Sequence, residues 1–202
     1  TVELLATGFV LGLVISTTTG VLLGWHEYLG EVFAPILYVF YAVPKLIFFP
    51  IFIAFFGLGQ LVQVVYTTVT VALPTFFIIY SAMESINETH IKTAESMQIG
   101  PSTLFRKIVL PSIRLPFVTA LRLGFSFAIL NAVLIEMVLV PDNGLGAVLI
   151  ESAQLNQVTT TLGVFVILVV ISIAGVLAFR FVEQALAKEL SKKEDAASNW
   201  TV

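Results

Sequence analysis

The sequence predicts an all-α fold, a polytopic bundle of about five membrane-crossing helices. Three observations carry this. Of 202 residues, 58% are hydrophobic and only 11% charged, against roughly a quarter charged in soluble domains. The mean hydropathy is +1.01, too apolar for a surface facing water. The apolar residues also fall in long runs, parted by short intervals rich in glycine, proline or charge. The chain has no cysteine, so neither a disulfide nor a thiolate metal site is expected. His26 and His90 lie far apart without a ligand cluster, and no metal site is assigned. No basic stripe supports nucleic-acid binding. The opening TVELLATGFVLGLVIS has no basic leader region, so a cleaved signal peptide is not expected.

The first span runs from Leu4 to Gly24, long enough to cross at about 1.5 Å per residue. Gly8, Gly12, Gly20 and Gly24, with Ser16 between, recur at four-residue steps. Such a face lets helices approach closely, and packing inside the bundle is preferred here to a contact between copies. His26 to Val43 reads as an interfacial amphipathic helix, with Tyr28, Phe33, Tyr38 and Tyr41 at headgroup level. Pro44, Lys45 and Pro50 interrupt the following apolar run. A short span starting near Pro44 would let Lys45 snorkel to the interface. Broken spans are tolerated where they line protein or a water-filled cavity, so Pro44 and Pro50 become candidate pathway residues. Gly57-Leu58-Gly59 forms a turn, and Gln60 to roughly Glu84 is the third span. Its Thr67 and Thr70 face a pathway or back-bond to their own helix near Pro74; back-bonding is the commoner arrangement. Leu115 to Leu139 is the fourth span, with Arg122, Asn131 and Glu136 inside it, and Arg122 is within snorkelling reach of the interface. A weakly amphipathic stretch, Leu145 to Asn156, precedes the fifth span from Thr160 to Phe181.

The polar interval Lys92 to Pro111 is the longest between apolar segments. It reads as two short helices meeting at a bend: one from Asn87 to Gln98, closed by Gly100, and a second opened by Pro101 or Ser102. With this loop in the cytoplasm, all ten Lys and Arg residues lie on or near that side. Thr1, the Gly57–Gly59 turn and residues 140–159 then face outward and contain no Lys or Arg, which satisfies the positive-inside rule. Thr1 outside is unusual for such a chain, and a preceding helix absent from this sequence would account for it. Residues 1–186 are taken as the transmembrane domain, with a coupling loop over 85–113, and 187–202 as a charged cytoplasmic tail.

No catalytic constellation is present. There is no GxxxxGK[ST], HExxH or GxSxG pattern, so the chain is not expected to hydrolyse ATP or to be an enzyme. Glu136 is either a functional intramembrane acid or a structural cap or pair. Standing nearly alone, it argues against an ion-coupled carrier, which needs several facing acids.

Three stretches resemble the integral membrane subunits of ATP-binding-cassette importers, nearest the nitrate, sulfonate and taurine group, which also includes bicarbonate and thiamine-precursor importers. They are VPKLIFFPIFIAFFGLGQ (residues 43–60), the interval from Thr93 ending FRKIVLPSIRLPFVTALRL (residues 93–123), and IEMVLVPDNGLGAVL (residues 135–149). The middle stretch is similar to the group's Glu-Ala-Ala cytoplasmic loop. It departs from the pattern: Lys92, Thr93 and Ala94 stand where Glu-Ala-Ala is usual, Gln98 stands in the glycine place, and Gly100 comes two residues late.

The resemblance implies a type I importer permease in a bacterial inner membrane. It also implies a second, identical permease copy, two cytoplasmic ATPases that carry the ATP and Mg, and an extracytoplasmic binding protein. A helix of about three turns presenting Glu88, Lys92 and Glu95, with Thr93, Ala94, Gln98 and Gly100, would dock on the ATPase. The expected cargo is a small polar or anionic nutrient crossing beside Pro44, Pro50, Thr67, Thr70, Asn131 and Glu136. No positive charge is expected at the middle of that pathway, which leaves selectivity mainly to the binding protein. The rival readings are an ion-coupled carrier and a membrane scaffold that recruits a soluble partner.

Overall fold

A computed structural model describes residues 1–86, 100–139 and 144–198. Among these, every regular element is helical. The chain runs through α1 (Val2–Trp25), α2 (Glu27–Ala42), a 3-10 turn (Lys45–Phe48), α3 (Phe49–Phe56) and α4 (Gln60–Glu84). After residues 87–99 come α5 (Pro101–Leu104), a π turn (Phe105–Val109), α6 (Leu110–Leu139), α7 (Leu145–Gln154) and α8 (Val158–Ser198). Four of these stretches are long and apolar enough to cross a membrane, and the bent pair Tyr28–Ala42 and Lys45–Phe56 makes a fifth if it is one span.

The glycine face of α1 decides how the bundle is built. A Cβ placed on Gly8, Gly12, Gly20 or Gly24 would meet Thr67, Val71, Ile79 or Met83 of α4 at 3.0 Å or less. Each partner lies 59 residues further along the chain. The same step sets Ser16 opposite Thr75, and both are buried. Thr67, Val71, Thr75 and Ile79 are β-branched, with stiff side chains that form a regular ridge. Glycines at four-residue steps leave the groove that this ridge fills. The small-residue face is therefore spent inside the chain, as packing.

A constant positive offset means that α1 and α4 run parallel. The chain must cross back between them, so α2, the 3-10 turn and α3 together form one broken crossing, bent by 92°. Helix α2 keeps to the second half of α4, where Tyr38 stacks on Phe77 with ring centroids 4.0 Å apart. Helix α3 covers the first half, where Phe49 lies 5.3 Å from Tyr66. The expected interfacial helix is thus the oblique lower arm of a span.

Helix α6 runs antiparallel to α4. Its Val109–Ile113 end packs on Ala82, Met83 and Ile86, and its Ala132 and Ile135 pack on Val62 and Tyr66. The fourth helical rod starts well before the expected Leu115. Pro101 opens it, and the widened turn over Phe105–Val109 lets it continue, with the Leu110 N–H bonded to Phe105 O. A proline lacks an N–H and crowds the carbonyl four residues back, so a π turn just ahead of Pro111 gives the ring room without ending the helix. Helix α8 packs antiparallel on α6 and continues unbroken to Ser198, so span and tail share one helix.

Candidate coupling surface and pathway

The bundle has two ends: a turn end, carrying Gly57–Gly59 and α7, and a loop end, where α4 stops and α5 starts. Of the expected docking residues, Glu88, Lys92, Thr93, Ala94, Glu95 and Gln98 lie outside the described residues. Gly100 is exposed, and its carbonyl accepts the N–H groups of Thr103 (2.9 Å) and Leu104 (3.0 Å), which starts α5. The two helices that flank the loop are joined directly beneath it. Ile86, at the end of α4, packs with Met83, Val109 and Ile113, and Phe105 and Val21 close the cluster. Trp25 of α1 adds a ring contact to Phe105 at 6.1 Å.

Above this cluster lies a groove of about 660 Å³ between α2, α4 and α6. Tyr38 and Tyr41, Pro74 and Phe77, and Pro116 and Thr119 form its walls. Its size falls within the range of small-molecule sites. On its rim, Thr119 Oγ1 donates to Glu183 Oε1 at 2.7 Å, and Arg122 Nε lies 3.0 Å from Glu183 Oε2. That N–H is not aimed well enough for a hydrogen bond, so the contact is ionic. Arg122, placed by the sequence within snorkelling reach of the interface, pairs with Glu183 of α8.

Toward the turn end is a second cavity of about 200 Å³, lined by Lys45, Phe48, Phe52, Val69, Thr70 and Leu73 among others. Pro44 precedes the 3-10 turn at the elbow, Pro50 lies in the first turn of α3, and both are exposed. Thr70 is buried and back-bonds to Tyr66 O (3.0 Å) and Thr67 O (2.9 Å). Thr67 is a correction. It is fully buried, with its methyl against Gly8, so it is a packing residue of the α1–α4 seam. Lys45 corrects a second expectation. Its cavity partners Val69, Thr70 and Leu73 stand half-way along α4, because α2 climbs only half the bundle before the elbow. The ammonium therefore stays at mid-height, where it donates to Tyr41 O, and the middle of the bundle does carry a positive charge.

At the turn end, Glu136 is 1% exposed. Its Oε2 accepts the Gly146 N–H at 2.9 Å and the Thr1 hydroxyl at 2.6 Å, and the Thr1 nitrogen lies 2.8 Å from Oε1. A carboxylate at the first N–H groups of α7 satisfies donors that a helix start leaves open and suits its dipole. A Cβ on Gly144 would meet the Glu136 carboxyl carbon at 2.6 Å, and one on Gly146 would meet Val133 O at 2.4 Å. The Glu-Met and Gly-Leu-Gly pieces of the sequence are thus two halves of one clamp. The signal was present in the pair of glycines opening a helix shortly after an acid; what was missing was the fold that brings them together. Asn131 is buried, and its Nδ2 donates to Phe127 O at 2.8 Å.

Among the described residues, four apolar helices and one broken span, with a groove and a jointed loop end, have the form of a membrane transport subunit. The family described as binding-protein-dependent transport system inner membrane component matches residues 8–192, and the chain belongs to that family. A probable ABC transporter permease protein of Haemophilus influenzae is 27% identical over 166 residues, covering 82% of this chain and 67% of that protein. A putative aliphatic sulfonates transport permease protein of Bacillus subtilis is 23% identical over 187 residues, covering 93% of this chain and 66% of its own length. Among solved structures, the MetNI methionine ABC transporter in inward-facing conformations superposes with a TM-score of 0.73 at 23% identity. The match covers 91% of this chain and 93% of that one, and shows the same fold.

Proposed function

We propose that two copies of this chain enclose the translocation pathway of an importer for a small polar or anionic nutrient. An extracytoplasmic binding protein delivers the cargo at the turn end. Two separate ATPases, holding ATP and Mg, grip residues 85–113 at the cytoplasmic loop end. One observation carries this reading: α4 and α6 flank the loop, are joined at Ile86, Val109 and Ile113, and also wall the groove. Interiors are close-packed and move as units, so displacing the loop end displaces the pathway wall. Relatives named for aliphatic sulfonates, for bicarbonate in Synechocystis and for formylaminopyrimidine in Halalkalibacterium halodurans support a small cargo of varied charge. The asymmetry of Lys and Arg supports the orientation.

The test is reconstitution with the ATPase and binding protein encoded beside it. Uptake should stop when the phosphate-loop lysine of the ATPase is replaced; uptake that persists points to an ion-coupled carrier. Glu95→Arg should weaken ATPase co-purification while the subunit still inserts. Unchanged co-purification and unchanged coupled hydrolysis would remove that contact.

A further inference from the structure

We propose that Lys45 is the pathway residue that neutralises an anionic substrate half-way across the membrane, and so selects for small monoanions. The proposal rests on the permease reading above. Lys45 stands at the elbow of the broken span, where α2 ends and the 3-10 turn begins. Its ammonium donates to Tyr41 O and lies 4.2 Å from the centroid of the Tyr41 ring. Lys45 lines the smaller cavity itself, and its partner Tyr41 lines the large groove, so the ammonium is one residue contact away from that groove.

A charge at this height is costly unless it is paired or does work. Both contacts of Lys45 are uncharged. The ion pair between side chains among the described residues is Arg122 with Glu183, and it does not involve Lys45. Capping the end of α2 accounts for a donor at this position, since a helix leaves its last carbonyls open. It does not account for a full charge, because a neutral amide would cap as well without the desolvation cost. The cavity otherwise offers apolar walls from Phe48, Phe52, Val69 and Leu73, and the Thr70 hydroxyl is engaged with its own helix. A compact ammonium on an apolar wall recognises charge without a directional fork. That suits a small monoanion, recognised by its charge and size.

The chain has no cysteine, so a single thiol can report on this cavity. Phe48→Cys, with and without Lys45→Met, is assembled with its ATPases in membrane vesicles. It is then modified with a water-soluble anionic methanethiosulfonate (ethylsulfonate) and a cationic one (ethyltrimethylammonium). With Lys45 present, the anionic reagent should be favoured, and Lys45→Met should lower the anion-to-cation rate ratio by about tenfold. An unchanged ratio, or a thiol that neither reagent reaches, overturns the proposal and leaves Lys45 as a helix cap. Should Phe48→Cys or Lys45→Met fail to assemble, Leu73→Cys and Lys45→Gln make the same measurement, the latter keeping the donor to Tyr41. Modification needs no ATP hydrolysis. Uptake independent of the ATPase would therefore end the importer reading without altering this ratio.

Discussion

Replacing Gly12 tests the α1–α4 seam on which the topology rests. An ideal Cβ there lies 2.8 Å from Val71 Cβ and Cγ1 and 2.9 Å from Thr68 O. Carbon contacts are comfortable at about 3.5 Å or more, so the helices must part by roughly 0.7 Å. A gap of that size forfeits about a quarter to a half of each dispersion contact along the seam. Overpacking of this kind costs about 1–3 kcal/mol, while alanine regains up to about 1 kcal/mol of helix propensity. Gly12→Ala should therefore lose about 0–2 kcal/mol and Gly12→Leu about 3 kcal/mol or more. Gly163 of α8, whose Cβ would meet nothing within 4 Å, supplies the control with the same two substitutions. Stability is read by thermal unfolding of the detergent-solubilised importer complex. If Gly12→Leu proves no less stable than Gly163→Leu, the parallel seam and the crossing deduced from it are wrong.

Two further outcomes follow from the clamp and from the joint beneath the loop. Glu136→Ala leaves the buried Gly146 N–H without its acceptor and should cost about 1–3 kcal/mol, whereas Glu136→Gln keeps an oxygen and should lose less than half as much. Equal losses in thermal unfolding would show that Glu136 does not act as a cap. Ile113→Ala opens the joint between α4 and α6, and should cost about 2–5 kcal/mol. It should leave ATPase co-purification intact but abolish stimulation of hydrolysis by the loaded binding protein; full stimulation would count against transmission through this joint.

Span positions were legible in the sequence because burial in lipid demands long apolar runs, and α4 (Gln60–Glu84) lies where the third span was expected. The glycine face of α1 was legible as packing, though not its partner, since four-residue spacing says nothing about which helix supplies the ridge. Three things were hidden. The start of the fourth rod was obscured by Pro101, Pro111 and Pro116, because a π turn that absorbs a proline has no sequence signature of its own. The height of Lys45 depended on the tilt of α2, which is set by the contacts of Gly30 and Ala34 with Tyr80 and Phe76. The role of Glu136 depended on the packing of the start of α7 against α6, which brings Gly144 and Gly146 to its carboxylate. In each case local chemistry was readable and the tertiary partner was not.

The parallel register of α1 and α4 also bears on biosynthesis. Adjacent crossings can zip together as hairpins while they emerge, but α1 must wait for a helix 59 residues behind it. At about 5–20 residues per second, that is a delay of roughly 3–12 s. During it, four glycines and a serine face either lipid or the insertion machinery, offering a groove to any helix with a β-branched ridge. The bundle therefore has a kinetic weak point at α1, where a neighbouring copy's α4 is as good a fit as its own.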